Sequence, residues 1–362
     1  MAASPVPDLI VQSHQGPYVV HFGPRFAGLE SPLPTDRHLL IDAKVAQLYG
    51  RELEACLSSA SVHLIEAREE NKALEALPRV VSALLDRGIK RSHAIVAVGG
   101  GIVQDIAAFI ASTLMRGLPW SFHPTTLLAQ ADSCIGSKSS INVNRYKNVL
   151  GTYRPPTQIH VAVDVLDTLT LQDLRSGTGE IIKVHVIDGW DSTRELAADY
   201  SSLLEDRRLL ERYVRRSLEI KRRIIEVDEF DTDIRLTMNY GHTFGHAIES
   251  ATGYEVPHGI AVTLGMSIAN YFSWQLELIG AQVFAELQHL LARNYAGFDH
   301  LFHAGDAFLA AMARDKKNTG ERQALVLLRG PGAVFRTELP RTDVTRLSAE
   351  FERWLSGKPV AQ

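Results

Sequence analysis

The chain has 362 residues, 45% of them hydrophobic and 22% charged, with a formal net charge of −4. That length accommodates two packed domains, and the slightly acidic balance gives no reason to expect a nucleic-acid partner, whose phosphates call for a basic surface. Cys56 and Cys134 are too few for a disulfide framework or a thiolate metal site. No leader pattern or membrane-length apolar run is visible, so the expectation is a cytoplasmic protein without a membrane partner.

In chain order, residues 9–11 and 18–22 flank a Gly-Pro turn and predict a hairpin. Residues 38–42 form a strand entering a helix over 43–50. A second strand spans 62–65, followed by a helix from 67 to 88. A third covers 94–98, ends in Gly99-Gly100-Gly101 and opens a helix over 102–116. Residues 120–123 and 160–163 complete the series. Strands alternating with long helices imply a mostly parallel sheet with crossover helices. From Leu171 the pattern turns helical, over 171–186, 192–227, 235–252, 261–278 and 281–295. A late hairpin is expected at 324–328 and 334–339, turning on Gly330-Pro331-Gly332. The expectation is therefore an α/β domain over 1–170 and a mainly α-helical domain over 171–362. The basic stretch 207–223 has helical spacing and is expected to present a solvated face.

Four segments carry chemistry. Gly99, Gly100 and Gly101 between a strand and a helix suit a pyrophosphate at a helix N-terminus, with Asp105 one turn on. The spacing is not GxGxxG, and such turns also occur without nucleotides. His242 and His246 stand at i and i+4 on one helical face, and His258 follows Pro257. That spacing fits a metal, or a core histidine with surface neighbours. Glu180 is the candidate carboxylate, one turn from Lys183 amid apolar residues; a surface ion pair would have the same pattern. Asp132 and Lys138 with Arg145, Lys147 and Asn148 form either a phosphate cradle or a solvated loop.

Together these segments resemble the sugar phosphate cyclases. The match runs through GGGIVQD (99–105), MRG (115–117), PTTLLAQADSCIGSK (124–138), KN (147–148), DTLTLQDLRSGTGEIIK (167–183), NYGHTFGHAIE (239–249), HG (258–259) and DKK (315–317). The resemblance implies an N-terminal α/β NAD-binding domain with a mostly parallel sheet, and a mainly helical C-terminal metal-binding domain. It implies Glu180, His242 and His258 as metal ligands, for zinc with cobalt as the alternative, and His246 handling protons or supporting the ligands. It places Lys183, Lys221, Arg235, Asn239, Asp132, Lys138 and Asn148 around the substrate. Asp42, Glu69, Lys72, Asp105, Thr125, Thr126, Lys147, Thr168 and Leu169 join the glycines around NAD. Arg116 would reach the phosphate in a neighbouring subunit, which implies a homodimer.

The implied chemistry is a redox-neutral lyase reaction. NAD oxidises a ring hydroxyl, phosphate leaves, the hydride returns, and the opened ring closes by an intramolecular aldol step. Three positions depart from the family pattern: Ser137 in Gly-Ser-Lys, Tyr146 before Lys147-Asn148, and Ile260 where a glutamate usually follows His-Gly. Loss of that glutamate means that another acid orients the histidine, or that metal binding weakens. Residues 144–153 and 176–183 look like the sedoheptulose 7-phosphate cyclases, whereas 235–249 looks like the 3-dehydroquinate synthase branch of the shikimate pathway. Arg235 favours a carboxylate-bearing substrate, 3-deoxy-arabino-heptulosonate 7-phosphate, because a neutral heptulose offers a buried guanidinium no partner. An iron-type alcohol or glycerol dehydrogenase shares the two-domain plan but does not need the 132–148 cradle, and a non-catalytic NAD-binding relative would be expected to lose a ligand.

Overall fold

A computed structural model describes residues 7–144, 146–314 and 320–357. The strands are β1 (Leu9–Val11), β2 (Tyr18–Phe22), β3 (Arg37–Asp42), β4 (Val62–Ile65), β5 (Ala94–Gly99), β6 (Trp120–Pro124), β7 (Ile141–Val143), β8 (Tyr146–Leu150), β9 (Gln158–Val161), β10 (Arg322–Leu328) and β11 (Val334–Pro340). The helices are α1 (Ala43–Leu48), α2 (Glu54–Leu57), α3 (Leu77–Asp86), α4 (Gly101–Thr113), α5 (Leu171–Asp188), α6 (Trp190–Leu203), α7 (Arg207–Ile225), α8 (His242–Ala251), α9 (His258–Gln275), α10 (Ala281–Tyr295), α11 (Asp306–Ala313) and α12 (Arg341–Leu355). Two compact units result: residues 1–169 with 221–230, and 170–220 with 231–362.

The first unit holds a seven-stranded sheet ordered β1-β2-β9-β6-β5-β3-β4. Only the β1–β2 pair is antiparallel. Every residue of β6 and all but the first of β5 are buried, as the unbroken apolar run of a parallel sheet covered on both faces requires. Chain order reverses between β3 and β5, so their C-terminal ends flank a topological switch point, where doubly wound sheets take ligands. The second unit is helical around α9, in which Gly259 to Ser273 are all buried, and carries the expected β10–β11 hairpin.

Several expected helices are shorter. The 67–88 segment opens as two 3-10 turns, Glu69–Lys72 and Leu74–Ala76, and α3 starts only at Leu77, with Pro78 in its first turn. The 102–116 helix stops at Thr113, because Met115 and Arg116 take φ of 52° and 65°. The 192–227 stretch is two helices, since Asp206 Oδ1 accepts from the amides of Arg208 and Leu209 and starts α7 afresh. On α7 the apolar Leu210, Val214 and Leu218 are buried, and so is Lys221 at 7% exposed, the member of the basic stretch that the resemblance sets apart for the substrate. Gly241, at φ 79°, separates a 3-10 turn (Ile234–Asn239) from α8, dividing the helix expected over 235–252. The helix expected from 261 starts earlier, with His258 following the extended Pro257.

Three histidines stack across adjacent parallel strands at the C-terminal side of this sheet. His21 on β2 pairs in register with His160 on β9, with ring centroids 4.9 Å apart; His160 and His123 on β6 stack at 4.6 Å with nearly parallel rings, at 8°. His123 Nδ1 and His160 Nε2 are buried without hydrogen-bond partners among the described residues. Burial, followed by mutual repulsion, pushes His123 down to about 3; burial and then His21 push His160 down to about 4, with Asp8 opposing. Both folded values lie below the unfolded value of about 6.5, so the unfolded chain binds protons first and stability falls as pH drops through that window. Between pH 7.5 and 4.5 each is expected to remove up to about 2.5 kcal/mol, so the pair removes up to about 5 kcal/mol, less the screening of part-exposed His160. Denaturant unfolding of wild type and His123→Phe at both pH values checks it: the variant should lose visibly less stability on acidification, and equal losses would contradict the assignment.

Candidate active site

The second unit brings Glu180, His242 and His258 together through close helix packing. A Cβ on Gly179 of α5 would lie 2.1 Å from the Gly259 carbonyl oxygen, and one on Gly259 of α9 would lie 1.7 Å from the Ser176 carbonyl oxygen. Only hydrogen fits at both positions, so the two backbones touch where Glu180 and His258 stand. Gly241 turns the chain so that His242 begins α8 beside them.

Glu180 Oε1 lies 3.6 Å from Nε2 of His242 and 3.4 Å from Nε2 of His258. It is buried and accepts no well-formed hydrogen bond among the described residues. In a tetrahedral zinc site with bonds of about 2.0–2.2 Å, neighbouring donors stand roughly 3.3–3.6 Å apart, which these distances match. Lys183, 2% exposed, forms an ion pair with Glu180, itself 1% exposed. Burial would raise the Glu180 carboxyl, but Lys183 and then His242 hold it well below the usual carboxylate range. Burial, and then Lys183, keep His242 uncharged at neutral pH, as a ligand requires. Burial also opposes charge on His258, yet the carboxylates of Glu180 and Glu249 outweigh it and raise the imidazole to about 10. His258 Nδ1 meets Glu249 Oε2 at 3.1 Å, and His242 Nδ1 faces the Tyr240 carbonyl at 3.3 Å. A second donor group, His246, Glu249 and His258, shares this histidine. His246 is exposed, its ring 5.4 Å from that of His242 and 5.7 Å from that of His258.

In the first unit, Asp42 closes β3, Gly99 closes β5, and Thr125 follows β6, its amide donating to the Gly99 carbonyl. α4 begins at Gly101 with no side-chain cap. Gly100 is confined, since a Cβ there would sit 2.9 Å from Thr126 Cγ2, whereas Gly101 opens on free space. Uncapped amides at a switch point suit a pyrophosphate. Beside them, Lys72 Nζ donates to Asp105 Oδ2 at 3.0 Å and to Asn148 Oδ1 at 2.9 Å. Burial raises the Asp105 carboxyl to about 6 against the pull of Lys72. Glu69 joins through Asn142 at 2.8 Å and Lys147 at 3.7 Å. Asp132 sits on a π-helical turn, Ala129–Ser133, and pairs with Lys221 at 2.8 Å. Such turns recur at functional sites.

Residues 62–176 match the 3-dehydroquinate synthase N-terminal family profile and residues 177–318 the C-terminal one. A 3-dehydroquinate synthase from Thermoanaerobacter pseudethanolicus is 33% identical over 315 residues, covering 85% of this chain and 88% of the relative. The chain belongs to the 3-dehydroquinate synthase family. Among solved structures, 2-epi-5-epi-valiolone synthase from Streptomyces hygroscopicus subsp. jinggangensis 5008, with NAD+ and Zn2+ bound, is 27% identical with a TM-score of 0.78, covering 96% of this chain and 98% of that one. A 2-deoxy-scyllo-inosose synthase with carbaglucose-6-phosphate, NAD+ and Co2+ is 24% identical with a TM-score of 0.84, covering 95% and 100%, and shares the fold.

Against the synthase-family pattern, the structure gathers Glu180, Lys183, His242 and His258 at one point. It joins Lys72, Asp105 and Asn148 in one network, although the resemblance divides them between cofactor and substrate. Thr168, reaching Tyr49 at 3.4 Å, ends a 3-10 turn, Val163–Thr168, and Leu169 is its C-cap. Lys138 and Arg116 are exposed. Asn239 donates to the Leu236 carbonyl at 3.0 Å. Arg235 is buried and has a partner within the protein, so burial alone does not demand a substrate carboxylate. Lys316, Lys317 and Arg145 lie outside the described residues. The residue missed in the sequence is Glu249, the acceptor for His258, although its place one turn after His246 on α8 marks it.

Proposed function

We infer that the chain converts 3-deoxy-arabino-heptulosonate 7-phosphate to 3-dehydroquinate and phosphate as a cytoplasmic, NAD- and metal-dependent enzyme. The observation that carries this reading is the Glu180–His242–His258 donor set beside buried Lys183, in a chain whose relatives of that name align over most of its length.

NAD, when bound, would supply a reversible hydride acceptor, leaving the overall reaction redox-neutral. A divalent metal, when bound, orients the substrate hydroxyls and polarises the oxygen undergoing oxidation. Glu180, His242 and His258 would hold that metal. Gly99, Gly100 and Gly101 admit the pyrophosphate at the start of α4, with Asp42, Thr125, Thr126 and Thr168 around the rest of the dinucleotide. Lys138 and Lys221, the latter steadied by Asp132, bind the substrate phosphate. Lys183, fixed by Glu180, fixes a substrate hydroxyl, and His246, at the exposed edge, exchanges protons with solvent. Arg116 reaches into the site of a second copy in a homodimer.

Arg235 pairs with the substrate carboxylate. Arg235→Ala is expected to lower kcat/KM for the heptulosonate about 100-fold, the effect of losing a charge-assisted hydrogen bond worth up to about 3 kcal/mol. Steady-state phosphate release checks this, and unchanged turnover would refute the pairing. A second reading, sedoheptulose 7-phosphate as substrate, is favoured by residues 144–153 and by the likeness to the valiolone synthase.

A further inference from the structure

We propose that Glu249 is the positioning residue for His258, holding its ring so that Nε2 faces Glu180. It thereby supplies the carboxylate that Ile260 does not. The inference rests on the reading of Glu180, His242 and His258 as a metal site.

Ile260 is fully buried and apolar, so nothing at that position can accept a hydrogen from a histidine. Glu249, on the neighbouring helix α8, places Oε2 3.1 Å from His258 Nδ1. A carboxylate accepts and does not donate, so a proton stays on Nδ1, and Nε2, facing Glu180, is the nitrogen that gives up its proton to a metal. That nitrogen lies 3.4 Å from Glu180 Oε1. One ring is therefore fixed from behind by one carboxylate while its other nitrogen faces the second. His242 is held similarly through Nδ1, by the Tyr240 carbonyl. Carboxylate partners of this kind fix the tautomer and ring angle of ligating histidines, and their removal typically weakens metal binding about 10–100-fold.

Zinc affinity and stoichiometry of the full chain, measured by chelator competition, test this in wild type, Glu249→Gln and Glu249→Ala, with thermal melts of the metal-free proteins beside them. Wild type should bind one zinc. Glu249→Gln, whose amide oxygen still accepts from Nδ1, should weaken binding roughly 10-fold, and Glu249→Ala up to about 100-fold. In Glu249→Ala, the downfield His258 Nδ1–H proton resonance should also disappear. Affinities within twofold of wild type in Glu249→Gln, with an unchanged melt, would overturn the proposal. Two zinc ions per wild-type chain would also overturn it, making Glu249 a ligand with His246. A wild type that binds no zinc would remove the metal reading itself, a different failure from unchanged variants.

Discussion

Glu180→Gln is expected to abolish stoichiometric zinc binding and lower turnover on the order of 10³-fold or more. The carboxylate is 1% exposed and is the donor common to both short contacts, 3.6 Å to His242 and 3.4 Å to His258. A neutral amide there removes the charge that balances a divalent ion, and loss of metal polarisation is worth several kcal/mol of barrier. The same change removes the anion beside buried Lys183, and breaking a buried ion pair commonly costs about 3–5 kcal/mol. Activity and stability should therefore fall together, and metal analysis of the folded variant separates them. Zinc held at wild-type affinity would contradict the ligand assignment.

Gly259→Ala is expected to destabilise the fold by about 3 kcal/mol and to weaken zinc binding without touching any donor atom. The added Cβ would lie 1.7 Å from the Ser176 carbonyl oxygen, a backbone atom with no rotamer to escape into. α9 must move off α5, and overpacking of this kind costs roughly 1–3 kcal/mol or more. The displacement pulls His258 from Glu180, so folding and metal affinity should fail together. Gly305→Ala, where nothing lies within 4 Å, is the control and should cost under about 1 kcal/mol. Denaturant unfolding of both variants checks the contrast, and equal effects would contradict it.

The alternation of β-branched runs with helices gave the parallel sheet, and the i, i+4 histidines did fall on one helical face. Those features depend on local periodicity. The β7–β8 hairpin was missed because every residue of β8 is exposed, so no apolar alternation marks it. The breaks at Gly241 and Asp206 are hidden in the sequence because helical spacing continues on either side of each. Glu180 was legible as a candidate but not as buried, since its burial is imposed by the Gly179–Gly259 contact between helices far apart in sequence. The departure at Ile260 was visible from its position alone. The acid that meets His258 was not, because it comes from another helix, 9 residues upstream. By resemblance Lys72 belongs with the cofactor alone; its bond to Asn148 spans 76 positions and has no local signature.

The most direct measurement is phosphate release by the NAD- and zinc-loaded protein given 3-deoxy-arabino-heptulosonate 7-phosphate or sedoheptulose 7-phosphate, with NADH followed in the same cuvette. The expected result is phosphate from the heptulosonate, in step with substrate loss, and no net NADH. No phosphate from either sugar, or NADH accumulating with a simple polyol instead, would contradict the cyclase account.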